Sequence, residues 1–112
     1  MGKRIQQATL QNLESRVLRF GFVGENIHTE AVIDCAEVLQ DYPEADVVLR
    51  AIMPGENEIY EPEISVSGTD VIWVLTQAEL DREGSGTMQL TFVDGTEVIK
   101  SGVGKFTVSR SL

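Results

Sequence analysis

Cysteine, histidine and tryptophan each occur once in the 112-residue sequence, as Cys35, His28 and Trp73. A single cysteine cannot form an internal disulfide, so the fold does not depend on an oxidising compartment. One histidine and one cysteine also fall short of the three or four nitrogen and sulfur ligands that zinc requires. We therefore expect no metal and no other cofactor. We expect His28 on a surface loop, and Cys35 as a small apolar residue on the inward face of a strand.

Basic residues are scarce as well, because nine of them stand against eighteen acidic ones and the net charge is −9. Such a chain repels phosphate backbones and anionic lipid, so neither nucleic acid nor a membrane is expected as a partner. No apolar run approaches the length of a membrane span, and the opening MGKRIQQATLQNLESR has Lys3 and Arg4 but no apolar stretch after them. We expect a protein without a signal peptide that is made in a cytoplasm.

What remains is the composition of one globular domain, with 42% hydrophobic and 24% charged residues. A chain of this length buries roughly two thirds of the surface that it exposes when unfolded, which is enough for one core. We predict a single β-sandwich domain over residues 16–112. Residues 1–15 are predicted as an N-terminal arm or edge segment, because Ile5, Leu10 and Leu13 fit neither the helical nor the strand period. An edge strand, a short helix and an arm that orders on a partner all stay open.

Apolar and polar residues alternate from Arg16 onward, which is the pattern of strands with one buried face. Parallel sheets would need helical crossovers, and no helical pattern is present. The predicted fold class is all-β: an immunoglobulin-like antiparallel β-sandwich of about seven to nine strands with one short helical turn. The predicted inward residues are Leu18, Phe20, Phe22, Ala31, Ile33, Cys35, Val47, Leu49, Ala51, Met88, Leu90, Phe92, Phe106 and Val108.

Three dipeptides mark turns between these strands. Pro54-Gly55 and Ser67-Gly68 are typical turn pairs, and Asp94-Gly95 joins QLTFV to TEVIK. Because Asp-Gly readily takes the positive backbone angles of a type I′ turn, we predict a two-residue hairpin at Asp94-Gly95.

The stretch DVIWVLTQAELDREGSGTMQLTF, residues 70–92, contains an apolar run that breaks off and then resumes. DVIWVL is apolar on both faces and is predicted as a central strand covered on both sides. Thr76 and Glu79 have the spacing of a capping box, and Leu75 and Leu80 that of a hydrophobic staple, so a short helical turn is predicted after the strand. The glycines that follow release the chain into the next strand. We therefore interpret the interruption as a corner between the two sheets.

Acidic residues cluster in MPGENEIYEPEIS, at Glu56, Glu58, Glu61 and Glu63. Paired carboxylates hydrolyse glycosides only when they face each other across a cleft, and these alternate along an exposed edge. Calcium could use the same oxygens, but no regular calcium-binding loop is present. A solvated acidic face is the favoured interpretation.

Two glycine-bearing stretches and the tryptophan complete the candidates for a site. Gly84-Ser85-Gly86 and Gly102-Val103-Gly104-Lys105 lack the spacing of a phosphate-binding loop, so turns and bulges explain them. Trp73 could stack on a sugar, but its apolar context favours the core. No catalytic, cofactor-binding or metal-binding residue is predicted.

The strand pattern resembles the N-terminal domain of the phage baseplate upper protein family, a β-sandwich of tail and baseplate proteins in phages and prophages of Gram-positive bacteria. The matching segments are FGFVGEN, ADVVLRAIMPGE, DVIWVLTQAELDREGSGTMQLTF and VIKSGVGKFTVSRSL, so the resemblance runs from about Val17 to the end of the chain. The family has no catalytic residues, and none is transferred to this sequence.

The resemblance implies a non-enzymatic structural component of a phage or prophage tail or baseplate, located in the virion. It would act through protein–protein contacts, docking by its sheet edges and acidic surface. Its expected partners are other phage structural proteins, and a homo-oligomer is compatible with this role. The alternative from another class is a carbohydrate-binding or adhesion module for bacterial surface glycans. Because residues 1–15 match nothing in the family, we also expect this arm to contact a neighbouring subunit.

Overall fold

The computed structural model describes residues 3–25 and 28–111. In this part of the chain there are nine strands and one four-residue helix. The strands pack as two sheets, which confirms the predicted all-β sandwich and its number of strands. The elements in chain order are β1 (Lys3–Thr9), β2 (Val17–Phe22), β3 (His28–Asp34), α1 (Ala36–Leu39), β4 (Asp46–Ile52), β5 (Ser65–Ser67), β6 (Asp70–Leu75), β7 (Gly84–Asp94), β8 (Glu97–Lys100) and β9 (Gly104–Ser109).

The strand order is β1-β3-β6-β5 in the first sheet and β2-β9-β7-β4 in the second, where β8 also pairs with β7. Most neighbours are antiparallel, but β1 pairs with β3 and β2 pairs with β9 in parallel. A parallel pair needs a long crossover between its strands. Between β1 and β3 that crossover contains β2, a strand of the opposite sheet, so no helix is required.

The core between the sheets is centred on three aromatic side chains. Phe20 of β2 stacks on Phe106 of β9 with ring centroids 4.8 Å apart. Trp73 of β6, in the other sheet, meets them edge-on at 5.6 and 5.8 Å. All three side chains are at most 1% exposed. The cluster therefore joins the two sheets at their centre.

Most of the predicted inward residues are buried, as the alternation predicted. Of the set, Val47 is half-buried and Phe22 is exposed. The prediction for Phe22 is wrong because the pairing of β2 with β9 shifts register between Arg19 and Phe22, at Gly21. Gly21 has a φ of 108°, and the extra residue of the bulge turns Phe22 to the outside, where it is 46% exposed.

Strand β6 lies between β3 and β5 and is central, as predicted. The prediction that both of its faces are covered is wrong. Val71, Trp73 and Leu75 are buried, whereas Val74 on the opposite face is 42% exposed. β-branched residues suit strands on an exposed face as well as in a core, so an apolar run does not by itself show that a strand is covered twice.

The segment between β6 and β7 carries the chain from the first sheet to the second, so the predicted corner is confirmed. Its helical turn is not, since residues 77–80 form only hydrogen-bonded turns. Backbone bonds run from Glu79 to Thr76 and from Leu80 to Gln77, each spanning three residues. The capping bonds of Thr76 and Glu79 form although no helix follows them, and the helix found among the described residues is α1.

A turn occurs at Pro54-Gly55 as predicted, but the other two lie one residue later than predicted, at Gly68-Thr69 and Gly95-Thr96. Asp94 and Glu97 pair directly, so the hairpin turn consists of Gly95 and Thr96. Gly95 has a φ of 60°, and no described residue other than glycine has a positive φ. Type I′ needs positive φ at both central residues, whereas a leading glycine fits type II′. The predicted type I′ turn at Asp94-Gly95 is therefore wrong in two respects. The turn lies one residue later, at Gly95-Thr96, and its backbone angles fit type II′.

The N-terminal segment forms the edge strand β1, followed by a turn that buries Leu13 completely. Side chains of β1 bridge to β2 in the other sheet: Gln6 Oε1 accepts a hydrogen bond from the Arg19 N–H at 3.1 Å. The Arg4 guanidinium donates to the Glu25 carboxylate at 2.8 Å, and this bond is the main reason that the pKa of Glu25 is lowered. The described part of residues 1–15 is thus packed onto the sandwich of its own chain.

Candidate functional site

A groove of about 480 Å³ lies where the loop after β4 meets the corner between β6 and β7. We call it the corner groove. Its lining combines apolar side chains with a mostly acidic rim. The lining residues are Met53, Pro54, Glu56, Glu58, Ile59, Tyr60, Thr76, Ala78, Glu79, Asp81 and Arg82. Apolar side chains beside a few polar groups are the usual lining of a site that binds another molecule.

Glu79 fixes the shape of the groove. Its Oε2 accepts hydrogen bonds from the Tyr60 hydroxyl at 2.8 Å and from the Trp73 indole N–H at 3.1 Å. Its Oε1 accepts from the N–H and the hydroxyl of Thr76 at 2.7 and 3.0 Å. One carboxylate therefore ties the loop, the corner and the buried tryptophan together. With four donors on it, Glu79 has a structural role.

We expect Glu79→Ala to destabilise the fold by roughly 1–3 kcal/mol, because the buried N–H of Trp73 loses its acceptor. Urea unfolding followed by far-UV circular dichroism measures the loss. The matched control is Asp81→Ala, an exposed acid of the same corner, which should change the free energy of unfolding by less than about 0.5 kcal/mol. Equal effects of the two substitutions would contradict the structural role of Glu79.

The hydrogen bond between Glu79 and Tyr60 can be tested by titrating the tyrosines. This bond stabilises the protonated phenol of Tyr60 and raises the pKa of that residue. Tyr42 also has a raised pKa, through Glu97. In an ultraviolet pH titration, we expect Glu79→Gln to lower the pKa of one tyrosine and leave the other unchanged. A variant in which both tyrosines titrate as before would show that the bond to Tyr60 is absent in solution.

Trp73 is buried, so it offers no platform for a sugar ring, as its apolar context predicted. The acidic residues Glu56, Glu58, Glu61 and Glu63 are all exposed, which confirms the solvated acidic face. Their segment is an irregular loop, and its only bridge to β4 joins Ala51 and Tyr60. Among these glutamates the described ion pairs are Arg50–Glu61 at 2.9 Å and Arg82–Glu56 at 4.0 Å.

Three of the four glycines that the sequence singled out lie in regularly paired strands, so the predicted turns and bulges are wrong there. Gly84 and Gly86 belong to β7, where Gly86 faces the Phe106 ring. Gly102 precedes β9. Gly104 is the first residue of β9 and packs closely against the Leu13 side chain. Steric packing therefore accounts for Gly86 and Gly104, whereas Gly84 has a φ of 130°, which favours glycine.

His28 is exposed, as predicted. It is the first residue of β3, however, so the prediction that it lies in a loop is wrong. Its Nε2 lies 2.8 Å from the Glu30 carboxylate. Within residues 3–25 and 28–111, no group of three His, Cys, Asp or Glu side chains is placed to hold a metal ion. No helix in the described part is long and apolar enough to cross a membrane.

Cys35 follows β3 and is completely buried, as predicted for an inward residue. Burial, with Asp34 and Asp70 nearby, raises the pKa of its thiol to about 12. Because the thiolate is the reactive form, we expect no reaction with Ellman's reagent at pH 8 in the folded protein. One thiol per chain should react at once in guanidinium. Rapid labelling of the native protein would show that this part of the core opens readily.

Comparison with known proteins identifies the fold. No protein-family model matches the sequence, and no curated protein matches it. Among solved structures, the chain is similar to the N-terminal domain of phage TP901-1 ORF48, with a TM-score of 0.61. That match covers 96% of this chain and 98% of the other at 10% identity. A looser likeness, with a TM-score of 0.45, is to the cysteine protease inhibitor EhICP2 of Entamoeba histolytica, covering 99% of each chain at 11% identity.

Proposed function

We propose that the protein is a non-enzymatic structural component of a phage or prophage tail or baseplate. The observation that carries the proposal is the likeness of the whole fold to a domain of a phage protein, over 96% of this chain. It agrees with the sequence segments that resemble the baseplate upper protein family. The coverage of both chains means that the whole sandwich corresponds, rather than one hairpin.

The protein acts in this role by docking to other structural proteins of the particle and is located in the virion. Its surface offers features that suit docking. Exposed apolar residues such as Ile59 and Tyr60 lie beside the carboxylates of the corner groove. Apolar contacts supply affinity, and the acidic rim selects partners with basic surfaces.

Mass spectrometry of particles purified after prophage induction of the strain that encodes the chain tests the proposal. We expect the chain in stoichiometric amounts relative to other tail proteins. A deletion of its gene should then leave particles that lack tails or infectivity. Infectious particles that do not contain the chain would refute the structural role.

The glycan-binding alternative has two exposed aromatic side chains in its favour, Phe22 at 46% and Tyr60 at 40% exposure. Carbohydrate modules on β-sandwiches commonly present exposed aromatic rings, and Trp73 is buried. The hydroxyl of Tyr60 is engaged by Glu79, although its side chain is partly exposed. A glycan array is therefore the second experiment, to be carried out if the particles lack the chain.

A further inference from the structure

The two outer faces of the sandwich carry opposite charge. We call the outward side of the first sheet face 1 and that of the second sheet face 2; both are defined by the residues that alternate with the buried ones. The charged residues on face 1 are Lys3, Glu30, Asp34 and Asp70, which are three acids and one base. Those on face 2 are Arg19, Asp46, Arg50, Lys100 and Lys105, which are four bases and one acid. A positive face is unexpected on a chain whose net charge is −9.

Part of this charge is not neutralised within the chain. Asp34 and Asp70 lie directly opposite each other in the β3–β6 pair, where like charges are destabilising. In the described chain neither has an ion-pair partner, and the same holds for Arg19, Lys100 and Lys105. Each face would therefore be stabilised by contact with a surface of the other sign.

Both faces also carry exposed aliphatic side chains. On face 1, Ile5 is 43% and Val74 is 42% exposed. On face 2, Val17 is 47% and Val98 is 58% exposed. The two longer dimensions of the molecule are 47 and 32 Å, which leaves room for a standard interface of about 800 Å² per partner. Apolar residues with charges of opposite sign around them are what two complementary interface halves require.

We propose that copies of this chain associate head to tail, with face 1 of one copy on face 2 of the next. Pairing of face 1 with itself would bring the Asp34 and Asp70 carboxylates of two copies together, so a symmetric dimer is disfavoured. A contact between different faces leaves one free face at each end and repeats into a stack or a closed ring. The inference deepens the proposed structural role, but it concerns the isolated protein and is tested without phage.

Sedimentation velocity of the purified chain, up to millimolar concentration, tests the contact with two face variants. Val74→Lys places a cation on face 1, where it repels the bases of face 2. Val17→Glu places an acid on face 2, where it repels the carboxylates of face 1. Val66→Lys and Val66→Glu are the matched controls, because Val66 is 49% exposed but pairs with the buried Val71 on the inward side of the first sheet. Far-UV circular dichroism checks that every variant is folded.

We expect the wild type and both controls to form species that grow with concentration beyond a dimer. Each face variant alone should stay monomeric, because every contact needs one intact face 1 and one intact face 2. An equimolar mixture of the two face variants should form a dimer that grows no further, since each contributes its remaining intact face.

Three results overturn the inference: a monomeric wild type at millimolar concentration, a face variant that associates like the wild type, or a mixture that stays monomeric. Each leaves the proposed function standing if the chain is found in purified particles. Conversely, if the chain associates head to tail but is absent from purified particles, the phage role is refuted and the proposed interface is still supported.

Discussion

Replacing Trp73 by alanine is expected to lower the free energy of unfolding by about 3–5 kcal/mol. A domain of this size has a total stability of about 5–15 kcal/mol, so a large part of it depends on this side chain. The indole is 1% exposed and contacts Phe20 and Phe106 edge-on, so its removal leaves a cavity between the sheets. It also removes one of the donors to Glu79. Urea unfolding followed by far-UV circular dichroism measures the effect without the lost fluorophore.

Two controls divide this loss into its causes. Trp73→Phe keeps an aromatic ring in the core but removes the indole N–H, so a smaller loss is expected, mainly from the hydrogen bond and the reduced volume. Val74→Ala changes the next residue of the same strand on its exposed face and should cost less than about 1 kcal/mol. If Val74→Ala destabilised the protein as much as Trp73→Ala, the assignment of inner and outer faces of β6 would be wrong.

The alternation of apolar residues predicted most of the fold because it reports directly which side of a strand meets the core. Ala31 and Ile33 on β3 and Cys35 directly after it are buried as predicted, and so are Met88 and Leu90 on β7. The sequence does not report which strands become neighbours, since that depends on contacts between distant segments. The parallel pairs β1–β3 and β2–β9 therefore could not be read from the pattern.

Local exceptions arise where one residue changes the backbone geometry. The alternation continues through Gly21 to Phe22, yet the bulge at Gly21 reverses the side on which Phe22 lies. Asp94-Gly95 predicted a two-residue hairpin turn, but the pairing of Asp94 with Glu97 moves the turn one residue on, to Gly95-Thr96. A bulge or a turn type is decided by the register of a strand pair, which is a tertiary property.

Only part of the corner groove could be predicted from the sequence. The capping-box spacing identified Thr76 and Glu79, and both capping bonds form. Tyr60 lies nineteen residues from Glu79, and no local pattern links them. The buried indole of Trp73 needs an acceptor for its N–H, which is a signal that a polar partner must be near. That signal shows that a partner is required but does not name Glu79.

Replacing Gly86 by alanine is expected to destabilise the fold by roughly 1–3 kcal/mol, which is the usual effect of overpacking a core. A Cβ at this position would overlap Cζ of Phe106 and lie 2.7 Å from the carbonyl oxygen of Ile52. Gly86 does not have a positive φ, so the cost comes from steric contact rather than from backbone conformation. Ser85→Ala, at the exposed neighbouring position of β7, is the matched control and should be nearly neutral.

A double-mutant cycle with Phe106→Leu tests whether the aromatic ring is the obstacle. Leucine is shorter and leaves space where the new Cβ would lie, so Gly86→Ala should cost less in the Phe106→Leu background than in the wild type. The cycle would then give a coupling of about 0.5–3 kcal/mol, as found for residues in direct contact. Additive losses would place the obstacle at the Ile52 carbonyl, which the side-chain change cannot move. In either case the loss arises where the backbone of β7 lies against Phe106 of β9 and Ile52 of β4, which explains why β7 carries a glycine inside a long strand.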